Sequence, residues 1–339
     1  MRFRLTPEDL DVLATIAEYR ILGVRHITTL HQRSPVAFRR RLRRMEDEGL
    51  IRIATRGYQR ARGRPEGLVS LREKGAGLLK ANRLIDADVP TNRITADKIR
   101  CLEHHLLINE FRVQLMQVNR VVPSLSVRFL STASPKLYRS SDDRPLIHER
   151  FQPREGSDEW VEFTPDGVFA ITHTETSRTV LLFLEVDMGT ETVASPQSFA
   201  TDVRQKVVAY KALFRSGRYR RYEEMWACCL RGFRLLFLTC NANRMATLCR
   251  LICEMQPSHF IWLADQQSLT SYGVGASIWA PGGQIDTPRK SILGSQAPDP
   301  APTPASLRQA AGSTPFTSAR SHEAGGTAPP APSLSSGES

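Results

Sequence analysis

No stretch of the 339-residue chain approaches the roughly 18 uncharged apolar residues that a membrane span needs, so no membrane partner is expected. The six cysteines, at positions 101, 228, 229, 240, 249 and 253, form no CxxC pair and share no recurring spacing. That argues against a zinc site or a disulfide framework and for reduced thiols in a cytoplasmic protein. No Gly-rich phosphate loop is present, since Gly273-Val274-Gly275 is too short a match to mark a nucleotide site. No Ser/His/Asp arrangement and no internal repeat stand out. The start, Met1-Arg2-Phe3-Arg4-Leu5-Thr6-Pro7, runs directly into an acidic amphipathic segment, which is not the pattern of a secretory signal.

What the chain has in excess is positive charge. It carries 46 Lys and Arg against 35 Asp and Glu, a net of +11, in a composition that is 41% hydrophobic and 24% charged. That is a globular protein with a polyanion, most often nucleic acid, as the expected partner. The excess is local. Residues 1–83 hold 19 basic and 9 acidic side chains, residues 84–290 hold 25 and 23, and residues 291–339 hold 2 and 3. The last segment is rich in Ala, Pro, Ser, Gly and Thr, with Phe316 its only aromatic residue, so a disordered tail is expected there. Asp86, Asp88, Pro90, Thr91 and Asn92 interrupt the apolar pattern and suggest a linker over residues 84–96. Two folded domains are expected, 1–83 and 97–285.

In the first domain Thr6-Pro7-Glu8-Asp9 reads as a helix start, with Leu10, Leu13, Ala14 and Ala17 following at helical spacing. Gly23 ends that helix, and a short second one places Val24, Ile27 and Leu30 inward. A third starts at Ser34-Pro35 and runs to about Gly49, with Phe38, Leu42 and Met45 on one stripe and Arg39, Arg40, Arg43 and Arg44 over the remaining faces. The period then changes to that of two short strands, 50–54 and 68–71, and Gly75 precedes another helix. The strands are joined by a loop containing Arg56, Arg60, Arg62 and Arg64, whose tetrapeptide Arg62-Gly63-Arg64-Pro65 also looks like the core of an AT-hook. Three helices and a hairpin is the order of a winged helix-turn-helix, whose third helix enters the major groove while the hairpin tip follows phosphates or the minor groove. The reading is double-stranded DNA binding through Arg39, Arg40, Arg43, Arg44, Arg60, Arg62 and Arg64. The alternative is a solvated helix face or a protein contact.

The second domain reads as mixed α and β. A helix over 97–118 is followed by a strand over 125–130, a polar insertion, a strand after Pro165-Asp166-Gly167, and the near-continuous apolar run 179–187. Such a run is expected of a strand buried on both faces. Alternation puts Glu185 and Asp187 on one face with Phe183, and Asp166 joins them if its strand is the neighbour. Three convergent carboxylates would suit Mg²⁺. A helix over 196–216 would bring Lys206 toward them. Three readings stay open: a phosphodiesterase centre with Asp166, Glu185 and Asp187 as metal ligands and Lys206 positioning water; a degenerate core pairing Asp187 with Lys206 or Arg204; or strand-end acids in solvent. Adjacent His104 and His105 diverge by about 100° on a helix, so they do not readily share a metal. They also lack the intervening residue of a rolling-circle relaxase site. Glu103 and Glu110 are candidates for a first-helix acid.

The order of helix, three strands, helix and strand, with Pro165-Asp166 and Glu185-Val186-Asp187, resembles the PD-(D/E)xK nuclease-like fold, with Asp187 where that motif has lysine. A winged helix, then Pro-Asp, then Leu184 to Glu191, then Lys206 and Tyr210, resembles the replication-relaxation protein family over about residues 5–265. These are bacterial and plasmid proteins. The resemblance implies an accessory role on DNA in plasmid replication, relaxation or mobilisation, with other replication or mobilisation proteins as partners. The alternatives are a Mg-dependent endonuclease and a winged-helix transcription regulator that forms a homodimer.

Overall fold

Helix α1 (Pro7–Tyr19) begins as its residues predict. The Thr6 hydroxyl accepts from the Asp9 amide, and the Asp9 carboxylate accepts from the Thr6 amide at 2.7 Å. Its buried stripe is Val12, Leu13, Ile16 and Ala17, so the helix is rotated slightly from the expected Leu10, Leu13, Ala14 and Ala17. A strand too short to show alternation, β1 (Ile21–Gly23), comes before α2 (Val24–His31) and α3 (Pro35–Asp47). Phe38, Leu42 and Met45 of α3 are buried as predicted. β2 (Ile51–Thr55) and β3 (Gly67–Leu71) pair antiparallel with Ile53 opposite Val69, and β1 adds to the other edge of β3. Gly75 lies inside α4 (Glu73–Ala81) rather than before it. A Cβ there would come 2.2 Å from the Leu50 carbonyl oxygen, so glycine is what lets the helix rest on that backbone.

The computed structural model describes residues 4–55, 67–132, 134, 144–154, 156, 158–193 and 202–294. Arg60, Arg62 and Arg64, the AT-hook-like tetrapeptide and the tail from residue 295 lie outside them. All described residues fall within one compact unit, Met1–Ala301. In residues 84–96, Ile85 and Ile94 are buried in the N-terminal core together with Val113 of α5 (Leu102–Val121). Helix α5 starts five residues later than the sequence predicts, at the turn after Cys101.

A second, six-stranded sheet follows. In chain order the elements are β4 (Leu125–Ser131), a small hairpin of β5 (Glu149–Phe151) and β6 (Val161–Phe163), β7 (Gly167–His173) and β8 (Thr179–Asp187). Then come α6 (Val203–Ser216), α7 (Arg221–Trp226), β9 (Phe233–Thr239) and α8 (Ala242–Glu254). The last are β10 (Ile261–Asp265), α9 (Gln266–Tyr272) and β11 (Ala280–Pro281). The sheet order is β11-β10-β9-β8-β7-β4, with β8, β9 and β10 parallel and the other pairings antiparallel. The fold is thus mixed α and β. α6 begins at Val203, where the Asp202 side chain accepts from the Gln205 amide; the start expected at about residue 196 lies outside the described residues. Ile292 and Leu293 are buried, so residues 291–293 pack with the fold and not with the tail expected from position 291.

β8 explains its own apolar run. Leu181 and Phe183 face the cluster under α6, α7 and α8, while Leu182, Leu184 and Val186 face the one under α5 and α9. Each fully buried Leu or Phe contributes roughly 1.5–3 kcal/mol, and this strand supplies both layers. Among the described residues no helix is long and apolar enough to cross a membrane.

α5 also ties the N-terminal elements to the second sheet. Asn109, 1% exposed, donates to the carbonyls of Tyr19 at 3.0 Å and Ile21 at 2.7 Å. Replacing it by alanine removes two buried hydrogen bonds, leaving the Tyr19 carbonyl to His105 alone, and Asn109→Ala is expected to cost about 2 kcal/mol in urea unfolding. A loss indistinguishable from zero would contradict this role.

Candidate functional site

The antiparallel register of β7 and β8 pairs Gly167 with Leu184, and this puts Asp166 across from Glu185. Both carboxylates lie at the end of the sheet from which α6 departs. Asp166 Oδ2 accepts from the Val186 amide at 2.8 Å and lies 3.1 Å from His104 Nε2, in the first turn of α5. Glu185 is 4% exposed. Its Oε1 accepts from the Tyr210 hydroxyl at 2.6 Å and its Oε2 from Lys206 Nζ at 3.3 Å. Lys206 and Tyr210 are four residues apart on α6, so they meet the strand together. Lys206 Nζ also donates to Glu191 Oε1 at 2.8 Å, which draws in the loop after β8.

Burial dominates the electrostatics here. It pushes the Glu185 carboxyl up to about 7, Asp166 adds to the rise, and Lys206 and Tyr210 oppose it. Burial would pull Lys206 down, but the charges of Glu185, Glu191 and Asp166 outweigh it, and its pKa moves up. His104 behaves likewise: burial disfavours its protonated form, while the hydrogen bond and charge of Asp166 raise its pKa overall. Tyr210 is pushed well above its ordinary value by burial and by Glu185. The result is a pair of opposed carboxyl groups between the Lys206 ammonium and the His104 ring, with Glu185 able to take or release a proton near neutrality.

Asp187 points to the same face as Glu185, as alternation requires, but it is not part of that cluster. Two residues along a strand is about 7 Å, enough for a different helix to claim it. Arg244 of α8 grips it bidentately, Nε to Oδ1 and Nη2 to Oδ2 both at 2.9 Å, and the Gly189 amide adds a third bond at 2.6 Å. Arg244 Nη2 also donates to the Glu191 carbonyl at 2.6 Å. Neither partner foreseen for Asp187 is the right one, because Lys206 belongs to Glu185 and Glu191, and Arg204 pairs with Glu254 at 3.5 Å. With Asp187 only 5% exposed and Glu185 buried, the solvent reading fails as well. The donor set does not fit a three-carboxylate Mg²⁺ site, since one of the three acids is saturated by a guanidinium. Among the described residues no three His, Cys, Asp or Glu side chains are grouped to hold a metal.

The second candidate surface is α3. Arg39, Arg40, Arg43 and Arg44 are exposed, and among the described residues none of them has an ion-pair or hydrogen-bond partner. At about 100° per residue they cover an arc of roughly 140°, opposite the buried stripe of Phe38, Leu42 and Met45. Arg41 is different: it pairs with Asp9 and fixes α3 to the start of α1.

Of the residues singled out from sequence, Asp166, Glu185 and Lys206 come together, and Asp187 is held apart. His104, Glu191 and Arg244 are the additions. The position sought for a first-helix acid is taken by His104. Glu103 is exposed, and Glu110 turns to Arg25 and His26, where burial is outweighed by the His26 and Arg25 charges and its pKa falls to about 2. His105 diverges from His104, as adjacent helical residues must, and its ring lies 2.9 Å from the Tyr19 carbonyl. Glu191 was visible as the last residue of the Leu184 to Glu191 motif; nothing in the local sequence marks Arg244.

Two outcomes are expected. Arg244→Ala leaves Asp187 buried and unpaired and should cost about 3–5 kcal/mol in urea unfolding, with part of the loss recovered by adding Asp187→Asn. For Glu185 the folded-state pKa is raised, so its contribution is favourable below the ordinary value of 4.5 and is lost as pH rises through about 7. Glu185→Gln should therefore gain stability relative to the unmodified chain over that window. Urea midpoints measured against pH check this, and parallel curves would contradict it.

The replication-relaxation family model matches residues 13–226, more than half of the chain. No curated protein matches. A mutant of ZitR from Lactococcus lactis, a solved structure, is 23% identical over 24% of this chain, with a TM-score of 0.21, and this chain spans about half (53%) of its length. With the family model covering both the arginine-faced helix and the carboxylate cluster, the chain belongs to the replication-relaxation family.

Proposed function

We propose that this protein is a duplex-DNA-binding accessory factor in the replication, relaxation or mobilisation of plasmid or other mobile DNA. The observation that carries the reading is α3, a helix anchored by three buried apolar side chains that turns four unpaired arginines outward. Unpaired guanidiniums on a rigid helix suit phosphate oxygens and guanine edges, and a helix following a turn in a three-helix, three-strand unit is the part of a winged helix-turn-helix that enters the major groove. Val36 supports the same face. It is 70% exposed and lies within the arginine arc one turn before Arg40, where an apolar side chain suits a thymine methyl. Arg60, Arg62 and Arg64, in the hairpin loop by sequence, would extend the contact along the backbone.

In this reading the second sheet is a platform that positions the DNA-binding unit through α5 and presents the carboxylate cluster to partners. A Mg-dependent endonuclease is the weaker reading, because the third carboxylate is already committed to Arg244.

Reversing charge at two of the helix positions tests the proposal. Arg40→Glu with Arg43→Glu is expected to weaken duplex binding by at least tenfold and to lower the salt dependence by about two phosphate contacts. Fluorescence anisotropy with a labelled duplex across a salt series reads both, and unchanged affinity and slope would overturn the reading.

A further inference from the structure

The end of the second sheet opposite Glu185 and Asp187 carries a groove that neither α3 nor the carboxylate cluster uses. It is a cavity of about 640 Å³ formed where β8, β9 and β10 begin, between the end of α6 and the segment around residues 281–290. Four basic residues line it, Arg231 and Arg234 from the start of β9, His259 from the approach to β10, and Lys290, and no aspartate or glutamate does. Arg231, His259 and Lys290 are exposed.

Arg234 is the most informative of these. Its guanidinium lies 4.3 Å from the Trp262 ring centroid, and among the described residues no carboxylate or other hydrogen-bonding partner meets it. Burial moves its pKa downward with no opposing charge. A partly buried cation stacked on a ring and lacking an anion is costly unless an anion arrives from outside. Aromatic surface is offered alongside: Phe214, 37% exposed, leans on Phe233 and Phe260, and a Cβ on Gly232 would press its ring at 3.1 Å.

We infer that this groove binds single-stranded DNA, with Arg231, Arg234 and Lys290 on the phosphates and Phe214 beside an unpaired base. The cations come from two sides of the groove, Arg231 and Arg234 from the start of β9 and Lys290 from the segment after β11, an arrangement suited to following a backbone rather than enclosing one phosphate. An uncharged aromatic edge next to them is what unstacked bases add to phosphate recognition. The cavity lies within the roughly 300–1,000 Å³ range of ligand sites. The inference does not depend on α3, so the two can fail separately.

The test uses the full chain with a fluorescein-labelled oligothymidylate and, in parallel, a labelled duplex. Arg231→Ala with Lys290→Ala removes two exposed cations without disturbing the core, and Lys290→Glu serves as a second variant, each checked by thermal melting. Both are expected to weaken oligothymidylate binding about tenfold while duplex affinity stays unchanged. Arg40→Glu with Arg43→Glu is expected to do the reverse. No oligothymidylate binding by the unmodified chain in dilute buffer, equal affinity in the groove variants, or an equal loss for both probes would each overturn the inference.

Discussion

Two carboxylates placed two residues apart on a strand buried on both faces dictate the local architecture. Glu185 and Asp187, 4% and 5% exposed, cannot be left charged and unpartnered among apolar side chains. Each is met by a cation from a different helix, Lys206 of α6 for Glu185 and Arg244 of α8 for Asp187. Both cations then reach the loop after β8, Lys206 through the Glu191 carboxylate and Arg244 through the Glu191 carbonyl. The strand's charges thereby fix where two helices pack and how the loop between them leaves the sheet.

The helix α5 plays the corresponding part on the other face. Its first turn presents His104 to Asp166, while the adjacent His105 and, one turn further on, Asn109 turn to the backbone of Tyr19 and Ile21. Glu110 and Arg112 then reach Arg25, His26 and Glu18. One helix therefore joins the carboxylate cluster to the elements that carry the arginine face. This connection is built from polar groups, Asn109, Glu110 and Arg112 among them, that meet their partners only when both sides are in place.

Much of this was legible in the residues, and the rest was not for identifiable reasons. The cap at Thr6, the inward stripe of α3, the doubly buried strand 179–187 and the meeting of Lys206 with Glu185 follow from local spacing. β1 is too short to show alternation. Gly75 looked like a helix boundary because its role is a close approach to Leu50, which is distant in pattern though near in space. The assignment of Asp187 to a metal set rested on which face it occupies. Alternation gives the face correctly but says nothing about which neighbouring helix reaches it, and Arg244 lies 57 residues along the chain. By sequence His104 is only half of a diverging histidine pair, and its partner Asp166, 62 residues away, cannot be seen from that spacing.

The same separation between sequence and space changes how the charge count should be read. Residues 84–290 are nearly balanced, with 25 basic and 23 acidic side chains, which suggests a surface of no particular sign. Yet several of those acids are withdrawn from the surface: Glu110, Glu149, Glu185 and Asp187 are buried or nearly so, and each is met by a cationic side chain. Internal pairs cancel in the count and in the field alike. What remains outside is unevenly distributed, and Arg231, His259 and Lys290 can then share a groove that no acid lines. A nearly balanced segment can therefore carry anion-binding ground where its exposed cations gather away from its acids, because a charge count says nothing about distribution over the surface.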